Sequence, residues 1–242
     1  MTTLVLGANG ATGRWLVRHL LKQGKSVRAV VRRKSSLPTD IRIHPKLEVV
    51  ERQLTALSET EWQTLVRDCS AVTSCLGHNL NMQGLFRDPH RLVTETIQNT
   101  VRAIEANAST GRTKIVLMNT SGFLNQDAQE KRFRGERFVL FLLRYLLPPH
   151  ADNEQAAEFL RVHVGQQHSR IDWVVVRPDT LTDDRDISDY QLTVSPVRSP
   201  IFNSGKASRI NVGHFMAQLV TEESLWNQWR GKMPVLYNAE SL

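Results

Sequence analysis

The chain has 242 residues, enough for one large domain with a sizeable core, and its 40% apolar and 23% charged content with only 13 Gly and 9 Pro excludes a disordered or fibrous polymer. Lys and Arg number 31 against 24 Asp and Glu, so the net charge of +7 favours acidic ligands, phosphates foremost. The basic residues are dispersed, with local clusters only at Arg28 to Lys34 and Lys131 to Arg137, whereas a nucleic-acid surface would gather them into a stripe.

In chain order, short β-branched or apolar runs fall at Thr3 to Leu6, Ser26 to Val31, Lys46 to Val50, Ala71 to Leu76, Lys114 to Asn119 and Asp172 to Arg177. Between them lie segments of helical period at Thr12 to Gln23, Glu59 to Arg67, Arg91 to Ala108 and Asn153 to Val164. Runs apolar on both faces and separated by helices predict an α/β fold, a doubly wound parallel sheet with helices on both faces and right-handed crossovers. No internal repeat or linker divides the series, so residues 1–242 are read as a single domain.

Two segments depart from the alternation. Residues 123–150 form a long insertion whose apolar part, Phe138 to Leu147, precedes Pro148 and Pro149 and reads as a packed helix. That run is ten residues long and interrupted by Arg144, about half of the ~20 needed to cross a bilayer. Residues 183–242 form a looser tail, with a helix expected over Val212 to Val220 and a last strand over Pro234 to Tyr237, and are expected to shape the substrate side. Trp226 and Trp229 are read as core. The first residues lack a charged leader and cleavage site, which predicts a cytoplasmic protein. Cys69 and Cys75 are too few for a disulfide scaffold or a zinc site; they read as reduced, buried thiols, and no metal is expected.

The strongest motif is Leu4-Val5-Leu6-Gly7-Ala8-Asn9-Gly10-Ala11-Thr12-Gly13-Arg14, where glycines three apart follow a strand and open a helix. Gly7 suits a sharp turn, Gly10 a close approach of backbone to a pyrophosphate, and Gly13 close packing of the helix, whose first amides at Ala11 and Thr12 then face the anion. Some twenty residues on, where a dinucleotide site meets the adenosine ribose, the second strand ends in Arg32, Arg33 and Lys34 in place of an acid. Cations there favour a 2′-phosphate, hence NADP(H) over NAD, with Arg32 the best single candidate. A triphosphate loop at Gly205-Lys206, a Gly-x-Ser-x-Gly elbow and a zinc-protease pair are all missing.

With these residues in hand, the sequence resembles the atypical short-chain dehydrogenase/reductase superfamily, in its NAD(P)H-binding branch of NmrA-like proteins and flavin or biliverdin-IXβ reductases. The resemblance extends through Val31 to Pro38, Ala71 to Gly77, Asn119 to Leu124, Asp172 to Pro178 and Gly213 to Met216. It implies a Rossmann-type fold, with Leu76, Gly77 and His78 along the riboses, Ser121 near the nicotinamide and Pro178 beside the carboxamide. After the third strand, where relatives show Gly-Asp, this chain has Arg52-Gln53-Leu54, leaving Gln53 and Leu54 to hold adenine.

The Tyr-x-x-x-Lys pair of the wider superfamily is absent: Tyr145, Tyr190 and Tyr237 are followed four residues later by Pro149, Val194 and Ser241. Flavin-type reduction does without such a pair, because hydride can pass directly to a conjugated ring stacked on the nicotinamide. Ser121 and His150 are then the candidate catalytic residues, the latter as a loop histidine that titrates near neutrality. An NADPH-dependent reductase of a flavin or similar small molecule is the leading reading. An NADP-sensing regulator without turnover, and a scaffold or RNA-associated protein, remain alternatives.

Overall fold

The computed structural model describes residues 2–77, 91–107, 111–130, 135, 139 and 148–241, with the backbone alone at 148–150 and 241. The apolar run Phe138 to Leu147 and His78 fall on positions outside the described residues or described too sparsely to place a side chain, so the packed-helix reading of that run is left there. Strands β1 (Thr2–Leu6), β2 (Ser26–Val31), β3 (Leu47–Glu51), β4 (Cys69–Ser74), β5 (Thr113–Met118) and β6 (Ile171–Pro178) follow the six predicted runs within two residues. With β10 (Val235–Asn238) and β8 (Tyr190–Thr193) they form one sheet in the order β3-β2-β1-β4-β5-β6-β10-β8. All its pairings are parallel except β10 with β8. Strands β7 (Thr180–Thr182) and β9 (Lys206–Ser208) form a separate parallel pair.

Helix α1 (Ala11–Lys22) crosses from β1 to β2, and the short α2 (Thr39–Arg42) lies between β2 and β3. Helices α3 (Glu59–Val66), α4 (Leu92–Ala106) and α5 (Pro148–Phe159) precede β4, β5 and β6, while α6 (Arg209–Thr221) and α7 (Glu223–Trp229) precede β10. Period-two alternation sends successive strand residues to opposite layers. Leu4 and Leu6 join Val72, Ile115 and Leu117 under α3, α4 and α5, whereas Val5 joins Val116, Val174 and Val176 under α1 and α6. Two apolar layers on one sheet make this a Rossmann-type α/β fold. Trp226 and Trp229 belong to the second layer, and Cys69 and Cys75 are free and buried.

Three differences from expectation have physical causes. The helix predicted from Asn153 starts at Pro148, because proline lacks only an amide that the first turn leaves unpaired anyway. His150 therefore sits in a helical first turn and not in a loop. The same helix runs out through a π-turn at Leu160–Val164, closed by Gly165 N–H on the Leu160 carbonyl at 2.9 Å. The segment from residue 183 onward supplies two strands to the main sheet and two helices to its second layer. Helix α6 lies close against α1 at Gly213, where an added Cβ would stand 2.8 Å from the Leu16 amide nitrogen.

A buried ion pair ties the loops together. Arg177 in β6 and Glu130 after β5 have side chains 0% and 3% exposed, and Arg177 Nη2 lies 2.7 Å from Glu130 Oε1. The guanidinium also donates to the carbonyls of Met233 (2.8 Å), Phe123 (3.0 Å) and Val194 (3.0 Å), and to Glu130 Oε2 (3.0 Å), so all five of its N–H groups are used. Glu130→Gln leaves that cation uncompensated and is expected to cost about 3 kcal/mol or more of unfolding free energy, read as a lower urea midpoint. An unchanged midpoint would show that the pair adds nothing.

Between α1 and α6, the rings of His19 and His214 meet edge to face with centroids 5.3 Å apart, and His214 Nδ1 lies 2.9 Å from the Tyr190 hydroxyl. Burial, then the like charge of His214, with Lys22 and Arg18 adding to it, push His19 down to about 4 from 6.5, against a hydrogen bond to the Ile210 backbone. Burial lowers His214 as well, opposed by Glu222. The unfolded chain therefore binds more protons than the native one between about pH 6.5 and 4, so stability falls as pH drops through that window. The melting temperature of the wild type should decline across it, and a His19→Gln/His214→Gln variant should decline less; parallel curves would remove the pair from the acid response.

Candidate functional site: a cleft at the strand ends

The carboxyl ends of β1 and β4 part where their following helices pass to opposite layers, which opens a crevice above the sheet. Gly7 leaves β1 at φ +77°, and a Cβ on it would lie 2.8 Å from the carbonyl carbon and oxygen of Cys75. Only glycine allows the turn to rest on the end of β4. The Gly10 N–H then donates to the Gly7 carbonyl at 2.9 Å, and Gly10 caps α1 without any side-chain partner. A Cβ on Gly13 would stand 2.1 Å from the Gly7 oxygen, so the first turn of the helix is clamped onto the loop.

This arrangement leaves an electropositive end. The first turn of α1 contains no acid, and Ala11, Thr12 and Gly13 provide its amides. Beside them, Asn9 Oδ1 is buried and has no hydrogen-bond partner, while the Asn9 carbonyl accepts from Arg14 Nε at 3.0 Å. The start of α4, which borders the same cleft through Leu92, is different. There the carboxylate of buried Asp152 accepts the Val93 and Thr94 amides at 2.7 and 2.9 Å. One helix end is thus filled by the chain's own anion, and the other suits an anion from outside.

The cleft encloses about 670 Å³. It brings together Gly7, Asn9 and Gly10 of the turn, Arg32 and Arg33 after β2, Gln53 and Leu54 after β3, and Leu76 and Gly77 after β4. Ala11, Thr12 and Gly13 stand behind the turn as the start of α1. Gln53 Nε2 donates to the Thr55 hydroxyl at 3.1 Å, which leaves one N–H and the amide oxygen of its side chain. Arg52 and Ser36 also line the cleft.

Ser121 and Pro178 are outside that lining and adjacent to each other, the Ser121 N–H donating to the Pro178 carbonyl at 3.0 Å. Ser121 is 1% exposed, and its hydroxyl is hydrogen-bonded to Asp179. Asp179 is 8% exposed and accepts from the amides of Thr180 (2.9 Å) and Gly205 (3.1 Å). Burial pushes its carboxyl above the ordinary range, opposed by these hydrogen bonds and by Arg198. Of His150 only the backbone is described, in the first turn of α5 two residues before Asp152. That puts it on a helix anchored to the edge of the cleft.

Asp179, Asp152 and Arg52 escape motif reading. Asp179 follows a strand buried over its whole length, which is an unusual place for a carboxylate and the signal that could have found it. Asp152 caps a helix from across space, which no local spacing shows. Among the described residues, no group of three His, Cys, Asp or Glu could hold a metal ion, and no helix is long and apolar enough to cross a membrane.

Comparison with known proteins agrees with this geometry. No curated protein sequence matches the chain. Solved structures that resemble it include a short-chain dehydrogenase/reductase from Veillonella parvula in complex with NADP, with 16% identity, TM-score 0.71 and coverage of 99% of this chain and 95% of that one. An oxidoreductase from Lactococcus lactis, ylbE, has 14% identity and TM-score 0.70 over 99% and 91% of the two chains. A Streptococcus pneumoniae protein proposed to be an NADH-flavin reductase has 16% identity and TM-score 0.66 over 98% and 99%. At such identities the likeness shows the fold. The sequence profile of the NAD(P)H-binding family matches residues 7–223, and the chain belongs to that family.

Proposed function

We propose that the protein is an NADPH-dependent reductase that passes hydride to a flavin or a similar conjugated small molecule. The observation that carries the cofactor half is the uncapped start of α1, clamped by three glycines beside the unpartnered Asn9 oxygen. Backbone amides and helix dipole would hold the pyrophosphate, and Arg32 and Arg33 at the opposite end would receive a 2′-phosphate in preference to a free hydroxyl. Leu76 and Gly77 would pass along the riboses, with His78 continuing the same segment, and Pro178 would set backbone beside the carboxamide.

Once bound, the cofactor supplies the hydride, which leaves the chain to orient the partners and to manage one proton. Ser121, at the strand ends where the resemblance sets the nicotinamide, would orient the cofactor or the acceptor. His150 would deliver the proton. The missing Tyr-x-x-x-Lys pair supports an acceptor that needs no hydroxyl acid, and Tyr190 is already engaged with His214 and with Gln218 at 2.7 Å. The likeness to a protein proposed to reduce flavins supports the same acceptor class.

A second reading, a sensor that binds NADP without turnover, is favoured by one observation: Ser121 is buried and its hydroxyl already serves Asp179. Titrating NADPH with and without FMN separates the two. The reductase reading expects saturable binding and steady NADPH oxidation that depends on FMN; binding without oxidation supports the sensor, and no binding overturns both. Ser121→Ala should lower turnover about a hundredfold while leaving NADPH affinity within a factor of about two, a loss at the low end for proton-handling groups. Equal turnover would remove Ser121 from the reaction.

A further inference from the structure

The far end of the cleft is closed by a residue that neither the glycine turn nor β2 supplies. Arg52 directly follows β3, and its N–H donates to the Val31 carbonyl at 2.9 Å, which pins it beside the end of β2. Arg32, Arg33 and Arg52 consequently line one cleft. The Arg52 side chain is 61% exposed and loosely held, with Nη1 on the Glu51 carbonyl at 2.9 Å and Nε 3.7 Å from Glu61 Oε1. It can turn toward a ligand at little cost.

The nearby carboxylates are otherwise committed. Glu51 Oε2 accepts the Lys34 amide at 2.6 Å, and Glu61 Oε2 accepts the Ser58 amide at 2.9 Å in the capping box of α3. Neither Glu51 nor Glu61 lines the cleft. A free ribose 2′-hydroxyl is held by a carboxylate acceptor; this end of the cleft offers guanidinium groups from two neighbouring strand ends, the arrangement that suits a dianion.

We infer that Arg52 is a specificity-determining residue, closing on the 2′-phosphate of an adenosine ribose from the β3 side while Arg32 and Arg33 close from the β2 side. The ligand class is a 2′-phosphorylated adenosine nucleotide, and Gln53 and Leu54, next in the chain, remain for the adenine edge. The inference rests on the NADPH reading above.

Calorimetric titration of the full chain tests it, with NADPH and adenosine 2′,5′-bisphosphate set against NADH and 5′-AMP. Arg52→Gln is expected to weaken the first two about tenfold, the scale of one charge-assisted hydrogen bond, and to leave the second two within about twofold. Arg52→Lys should fall between, keeping the charge and losing the fork. Equal weakening of both pairs, or no weakening of either, overturns the inference while wild-type binding of NADPH keeps the cofactor reading. A wild type that binds neither NADPH nor the bisphosphate sinks that reading and the inference with it. Since Arg52 is exposed, its variants should melt with the wild type, so lost binding is not lost fold.

Discussion

The uncapped amino end of α1 is the constraint around which the molecule is arranged. Helices in this fold point their amino ends at the cleft and their carboxyl ends at the opposite edge of the sheet, so the unpaired carbonyls gather there. Cations meet them. Arg28 donates to the Leu65 and Arg67 carbonyls at the end of α3, Arg170 to those of Glu105 and Asn107 at the end of α4, Lys46 to Gly24 just beyond α1, and Lys232 to Gln228 in α7. Part of the positive surplus is therefore structural, which weakens any reading of it as a nucleic-acid surface. The opposite need, acceptors for the open amides of helix starts, is met internally by the Asp152 carboxylate at α4 and by the Ser58 hydroxyl and Glu61 carboxylate at α3. Among the described helices bordering the cleft, α1 alone keeps its first turn for something else.

Leaving those amides open requires that the turn before them not collapse, and close backbone contacts enforce this. Gly7 lies on the end of β4, Gly13 on Gly7, and farther along α1 Leu16 lies on Gly213 of α6. In the same interface, burial lowers both His19 and His214, which favours their neutral forms. The strand ends on the other side are fixed by Arg177. It joins β6, the loop after β5, the end of β8 and the approach to β10 through one fully used guanidinium. Replacing it with an apolar side chain would leave four carbonyl or carboxylate acceptors to find other partners.

Sequence legibility followed the range of the interactions. Strands β1 to β6 showed in the sequence because most of them are apolar on both faces, a property of the strand itself, although β3, with Glu48 and Glu51 exposed, is not. The turn Gly7 to Gly13 showed because its glycines answer local backbone demands. What escaped was set across space. Pro148 and Pro149 look like a stop and act as a start, since a proline's meaning depends on which side the helix lies. β8 and β9 are three or four residues of mixed burial, paired to partners 26 or more residues away, and carry no pattern of their own. Asp179 gave a residue type without a partner, and only the fold supplied Ser121 and Gly205.

If Ser121 meets the ligand as proposed above, its pairing with Asp179 also bears on what can be recognised there. A serine hydroxyl has one proton to give. While Asp179 is ionised it takes that proton in its hydrogen bond, so Ser121 can only accept, and a group beside it must bring an N–H or O–H of its own. A nicotinamide carboxamide or a ring imide meets that requirement; a ketone oxygen, which needs a donor, does not. Burial raises the Asp179 carboxyl, and its protonation would reverse the polarity and free the serine to donate. Three hydrogen bonds to the carboxylate resist that step, because each amide or hydroxyl donor favours the ionised form. The local chemistry at the end of β6 is thus biased toward ligands that donate, which agrees with a hydride acceptor reduced by stacking and disfavours a carbonyl drawn in by a hydroxyl acid.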